Sequence, residues 1–323
     1  MTTIEILEKL VSVPGVSGFE DAVGDEFLSL IAPFADECEK GVKTAVAHRK
    51  GKGKKLLIEA HSDEVGLMIT ETEGGFLRFR PVGGIDPKIL PGALVYVNGL
   101  PGVIGAKPPH LQEKGEDRGL KCEDMTIDTG LTDVSGLIAP GDVAVFSSPF
   151  LKMGGFVSAR CLDNRACLAA VVRAAEMISS SPYDIYFAAT GGEEKGMRGA
   201  KALGFCPDIS LSLDVTFASH TGAEIGTFPI DRPTLCMSPS LSRDLTDYLS
   251  ECADEAGVPV TTEVAGGSSG TNAWAIAAAC PNAKTALISV PVKYMHSTVE
   301  VADLSCIDAA AKIIAEFAQR GDF

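Results

Sequence analysis

Five side chains able to hold a metal ion recur in matching surroundings: His61, Asp163, Glu194, Asp214 and His296. The run LLIEA (56–60) leads into His61 and Asp63, and DIYFAAT (184–190) leads into Glu193 and Glu194. ISLSL (209–213) leads into Asp214, and TALISV (285–290) runs towards His296. Asp163 sits in ARCLDNRAC, at the start of a helical stretch, where a carboxylate would also cap backbone N–H groups. Two imidazoles and three carboxylates without a thiolate suit a hard-to-borderline divalent ion: zinc first, with cobalt or manganese as alternatives. Five ligands exceed what one catalytic zinc with an open position needs. They suffice for two ions about 3.5–4 Å apart that share a bridging carboxylate, and Asp163 is the natural bridge. Glu193 and Glu194 are adjacent, so on extended backbone their side chains diverge. One can then bind metal while its neighbour takes a proton from the reacting water. Asp63, two residues after His61, fits a partner that fixes the imidazole tautomer.

Taken singly, each of these residues has a structural explanation: a helix cap, a solvated acidic pair, a buried histidine. The same end of four strand-like runs carrying ligand types is what argues for chemistry. His48, His110 and His220 lack that setting and keep their structural explanation, although His220 follows the Asp214 run closely enough to line a cleft.

These runs are short and apolar, and helical stretches lie between them at 165–180, 241–256 and 303–319. Buried strands alternating with helices predict an α/β fold with a mostly parallel sheet between helices, whose carboxyl-terminal strand ends converge on one crevice. At the amino-terminal end, apolar positions broken at Pro14-Gly15 predict two short helices joined by a turn. Residues 66–155 differ, holding 16 of the 34 glycines and 8 of the 18 prolines between short β-like runs. The expected division is therefore a discontinuous catalytic domain, 1–65 and 156–323, with a β-rich domain inserted at 66–155.

Charge and composition exclude other classes. The net charge is -15, which repels phosphate backbones and anionic lipid, so neither a nucleic-acid nor a membrane partner is expected. The one basic cluster, KGKGKK (50–55), reads as a solvated turn. No run approaches the length of a membrane helix, and Glu5 and Glu8 stand where a secretory signal needs a basic start, so a cytoplasmic protein is expected. Nine cysteines, an odd number without a C-x-x-C pair, read as reduced core residues and not as a disulfide framework.

Seven segments in order resemble the tetrahedral (TET) aminopeptidases, family 42 of the metallopeptidases, which includes glutamyl aminopeptidases and proteins labelled M-type cellulases. They are HSDEVG (61–66), DPKILPG (86–92), HLQEKGEDRGLKCEDMTIDTG (110–130), LDNR (162–165), GGEEKGMRGA (191–200), LDVT (213–216) and YMHSTVEV (294–301). The resemblance implies that Asp163 bridges two divalent metal ions, that His61 and Asp214 complete one site, and that Glu194 and His296 complete the other. It implies that Glu193 is the general base acting on a water between the metals and that Asp63 supports His61. It further implies short peptide substrates, a cis Asp163–Asn164 peptide, an insert that is a PDZ-like β-barrel used for dimerisation, and dimers assembled into a dodecamer. Two positions depart from the family pattern: Gly192 where Gln is common, and Asn272 where a G-T-D-A-like segment has Asp. The alternatives are a metal-dependent deacylase or glycosidase-like hydrolase on the same scaffold, or a non-catalytic, metal-stabilised binding module.

Overall fold

The computed structural model describes residues 1–111, 120–267 and 270–323. The stretch 112–119 of the HLQEKGEDRGLKCEDMTIDTG segment lies outside the described residues. The chain opens with α1 (Thr3–Ser12), started by a reciprocal Thr2–Glu5 cap, and α2 (Asp21–Ile31). Strands β1 (Glu37–Gly41), β2 (Thr44–Arg49) and β3 (Lys55–His61) follow. Then β4 (Gly66–Glu73), β5 (Phe76–Val82), β6 (Leu94–Val97), β7 (Leu100–Ala106), β8 (Met125–Asp128) and β9 (Val143–Phe146) close into a barrel in the order β4-β5-β8-β7-β6-β9. The barrel has its own core, with Leu67, Leu77, Val97 and Ile127 fully buried.

After the barrel come β10 (Leu151–Met153), β11 (Phe156–Ala159), α3 (Leu162–Met177), β12 (Asp184–Thr190), α4 (Arg198–Lys201) and β13 (Ile209–Phe217). The chain ends with β14 (Thr234–Met237), α5 (Arg243–Glu255), β15 (Thr261–Val264), α6 (Asn272–Ala279), β16 (Lys284–Val292), β17 (Glu300–Asp303) and α7 (Leu304–Arg320). Eight strands form one sheet in the order β1-β2-β12-β3-β13-β16-β14-β15, and its centre, β12-β3-β13-β16, is parallel. A three-stranded antiparallel sheet, β10-β11-β17, flanks it. No described helix is long and apolar enough to cross a membrane.

Strand alternation decides what each face of the large sheet carries. Leu56, Ile58 and Ala60 of β3, with Leu211 and Leu213 of β13, pack into the main core with α1, α2, α3, α5 and α7. On the other face β3 presents Leu57, Glu59 and His61, and β13 presents Ser210, Ser212 and Asp214, all buried, with Asn272 of α6 donating to Glu59. The runs read as uniformly apolar therefore carry a polar column on one side, and that column leads to the candidate site.

One expectation is corrected. Cys206 and Cys280 are joined as a disulfide, their Cα atoms 5.5 Å apart. Each sits at the end of a segment, one in the loop after α4 and one where α6 stops, and those helices pack on each other. Sequence neighbours could not show this approach across 74 positions. The other seven cysteines are unpaired, and all but Cys38 are buried, as core thiols should be.

Candidate metal centre and active site

His61 is the last residue of β3, and Glu193 and Glu194 lie in the turn after β12. His296 follows β16 in a left-handed conformation, φ 60°. Asp214 lies inside β13, which continues to Phe217, so it is held by the sheet instead of by a loop. Asp163 stands at the start of α3 but with non-helical φ and ψ (-75°, 102°), next to the cis Asp163–Asn164 peptide. Its carboxylate does not cap the helix, contrary to the sequence expectation. It points instead between the two histidines.

The distances define two overlapping triads. His61 Nε2 is 3.1 Å from Asp163 Oδ1 and 3.7 Å from Asp214 Oδ1. His296 Nε2 is 3.2 Å from Asp163 Oδ2 and 3.1 Å from Glu194 Oε1. Each triad, His61–Asp163–Asp214 and Asp163–Glu194–His296, has its ligand atoms within 4.8 Å of one another, and Asp163 offers a different oxygen to each. Glu193 joins His61 and Glu194 in a third such group.

Asp63 does more than face an imidazole. Its carboxylate accepts the backbone N–H of Glu193 (3.0 Å) and that of Glu194 (3.2 Å), which pins the acidic pair. The pair sits on a turn, not on extended backbone, with the Glu193 carbonyl accepting from Gly196 and Met197. His61 Nδ1 bonds the Asp63 main-chain carbonyl at 3.1 Å, with the carboxylate 3.5 Å away.

Burial opposes charging either histidine, but the surrounding carboxylates outweigh it. Asp163 and Glu194 raise the His296 pKa to about 11, and Asp163, Asp63 and Asp214 raise that of His61. Burial also resists ionising Asp163, yet hydrogen bonds from His296 and His61 lower its pKa. Burial pushes the Glu193 carboxyl up to about 7; His61 opposes the shift, and the charges of Glu194, Asp163 and Asp63 add to it. Burial raises Asp214 strongly, with His61 opposing and Glu193 and Asp163 reinforcing. Among the described residues, no lysine or arginine pairs with Asp163, Glu194 or Asp214, so the imidazoles are the only positive partners of a buried anionic cluster. A donor set of this charge and composition fits divalent cations.

Sequence reasoning missed several contributors. Glu300 accepts the backbone N–H groups of Asp163 and His296. The Gly84 carbonyl, from the barrel, is 2.7 Å from His296 Nδ1. Glu59, fully buried two residues before His61, accepts from Thr190 (3.0 Å) and from Asn272 (3.1 Å). The Asn272 departure therefore lies in a buried network under the site, away from the cleft wall. Gly192 takes φ 71°, a turn conformation that suits glycine. Of the other histidines, His48 stacks on Tyr186 and bonds Asp184, and His220 contacts the ring of Tyr294.

The barrel can approach this closely because residues 83 and 84 lack side chains. A Cβ on Gly83, at φ 89°, would lie 2.5 Å from Val65 Cγ1 and 3.2 Å from Glu194 Oε2. Gly83→Ala should lose about 1–3 kcal/mol more than Gly92→Ala, whose φ is 82° with nothing within 4 Å. Paired denaturant titrations measure the difference, and equal losses would show that the contact is not tight.

The chain is similar to several known proteins. A lysyl aminopeptidase of Pyrococcus furiosus is 30% identical over 335 residues, covering 97% of this chain and 96% of its own. The structure of an aminopeptidase from the archaeon Desulfurococcus kamchatkensis superposes with a TM-score of 0.90 at 30% identity, covering 99% of this chain and 95% of the other. The Pyrococcus horikoshii TET1 peptidase, described as assembling into a tetrahedron or a large octahedral shell, gives a TM-score of 0.86 at 33% identity, covering 98% and 99%. With the model of the M42 glutamyl aminopeptidase family matching residues 43–313, the chain belongs to that family of peptidases.

Proposed function

We propose that this chain is a dinuclear-metal aminopeptidase that removes N-terminal residues from short peptides, with Glu193 as its general base. The observation that carries the reading is the convergence of His61, Asp163, Glu194, Asp214 and His296 into two triads sharing one carboxylate, with Glu193 beside them. His61, Asp163 and Asp214 would hold one ion, and Asp163, Glu194 and His296 the other. Zinc fits this donor set first, and cobalt or manganese also fits. Such ions, when bound, supply Lewis acidity towards the scissile carbonyl and make water easier to deprotonate.

The chain's own residues supply the rest. Asp63 fixes the backbone at Glu193 and Glu194, so the two carboxylates cannot exchange places. Glu193 takes a proton from the attacking water and returns it to the leaving amine, and its raised pKa suits both halves of that transfer. Acidic side chains around the cleft would attract the positively charged α-amine of a peptide. A glycosidase-like reaction would need two carboxylates about 5–9.5 Å apart facing one glycosidic bond and no metal. Here the carboxylates of Asp163 and Glu194 crowd one imidazole instead.

The inserted domain, 66–155, is proposed as the self-association module. Exposed apolar side chains on its strands, Phe76, Leu94, Tyr96 and Val103, support that role, as does the assembly of the TET1 relative. Dimers joined through it would build the dodecamer that the family resemblance implies.

The test is metal analysis of the purified chain with a panel of aminoacyl-p-nitroanilides, before and after chelation. About two metals per chain are expected, with hydrolysis lost on chelation and regained with zinc, cobalt or manganese; the ranking of the panel then identifies the preferred N-terminal residue. Hydrolysis that persists in the metal-free chain overturns the reading. Cleavage of N-blocked substrates alone would move it to the deacylase alternative.

A further inference from the structure

Glu300 is the first residue of β17, buried to 1% exposure, and is paired across the flanking sheet with Ala159 of β11. Its Oε2 accepts the backbone N–H of Asp163 at 3.0 Å, and its Oε1 accepts that of His296 at 2.8 Å. Each oxygen of one carboxylate thus serves a different metal-binding segment, and the two segments are 133 positions apart in the chain (296 less 163). Neither N–H belongs to regular structure. Asp163 has left the helical conformation, and His296 is left-handed at φ 60°, a region uncommon for a residue with a Cβ.

We infer that Glu300 is a positioning residue, a two-pronged anchor that holds Asp163 and His296 at the separation the second metal site requires. The inference rests on the two-metal reading above. Both anchored residues are ligands of the Asp163–Glu194–His296 site. Only Asp163 serves the other site, whose remaining ligands, His61 and Asp214, are fixed by β3 and β13. Loss of the His296 prong therefore falls on the second site alone, and loss of the Asp163 prong bears less on the first site, where the other two ligands are held independently. Asp63 is the counterpart on the opposite side, one carboxylate receiving the N–H groups of Glu193 and Glu194.

The test is titration of the full-length, chelator-stripped chain with cobalt(II), followed by its visible absorption. In Glu300→Gln the volume is kept, but one oxygen becomes an NH2 group that must face an N–H donor, so one prong is lost. The expected result is a second binding step weakened about 10–100-fold, the scale of losses when a partner supporting a metal ligand is removed, and a first step weakened clearly less. A merely structural role would weaken both steps alike, and that outcome, or two unchanged steps, overturns the inference. If Glu300→Gln does not fold, Glu300→Asp keeps both oxygens on a stem one methylene shorter and should show the same asymmetry. Failure of the parent chain to bind two cobalt ions is a distinct result and overturns the metal reading together with this one.

Discussion

Glu193→Gln should leave the chain folded and its metal content unchanged while slowing aminoacyl-p-nitroanilide hydrolysis about 10²–10⁴-fold. The substitution is isosteric, and the main-chain N–H that Asp63 Oδ1 accepts at 3.0 Å is unaffected, so the side chain keeps its place. A carboxamide cannot take up the proton that the attacking water must lose, nor return it to the leaving amine. The loss should appear in kcat with little change in KM, because no substrate-binding contact is removed. Metal content measured on the same preparation separates a lost base from a lost ion. Full activity in the variant would remove Glu193 from the mechanism.

Glu64→Ala should cost about 3–5 kcal/mol of stability, measured by urea unfolding. Glu64 is buried and receives Arg160 on Oε2, Arg165 on Oε1 at 3.5 Å and the backbone N–H of Gly15 at 2.8 Å. Arg165 is fully buried, and the two guanidiniums also donate to the carbonyls of Leu10, Val11 and Val13, where α1 ends. Removing the carboxylate strands two positive charges away from water, which is the costly way to break a buried pair. Asp247→Ala is the comparison, since Arg243–Asp247 is an exposed i,i+4 pair whose loss should cost no more than about 0.5 kcal/mol. A Glu64→Ala loss as small as that would mean water reaches the guanidiniums.

The fold class and the convergence at the site were legible because both depend on side-chain type at strand ends. LLIEAH and ISLSLD declare buried strands, and although one histidine or aspartate closing such a run has a structural explanation, four runs ending alike do not share one. Backbone donors leave no such trace. Nothing in YMHSTVEV tells that Glu300 receives two N–H groups, one of them at Asp163, because that contact depends on β17 pairing with β11. Asp163 looked like a helix cap because the residues that follow are helical; its own φ and ψ and those of Asn164 depart from the helix. Cys206 and Cys280 looked like core thiols because the packing of α4 on α6 is a tertiary fact. The Gly84 carbonyl was unreadable for a different reason: it belongs to the inserted barrel, and its side-chain-free approach to His296 shows only when both bodies are placed together.

That approach has a thermodynamic consequence. His296 Nδ1 is within hydrogen-bond distance of the Gly84 carbonyl, so under the proposed two-metal reading the pose of the barrel and the readiness of His296 to ligate would be coupled. Any partner that fixed the barrel would then cover part of the ordering cost for that histidine, and a metal ion on the histidine would help fix the barrel in return. By reciprocity the two effects are equal in size, so assembly through the barrel would tighten metal retention by the same factor as metal tightens assembly.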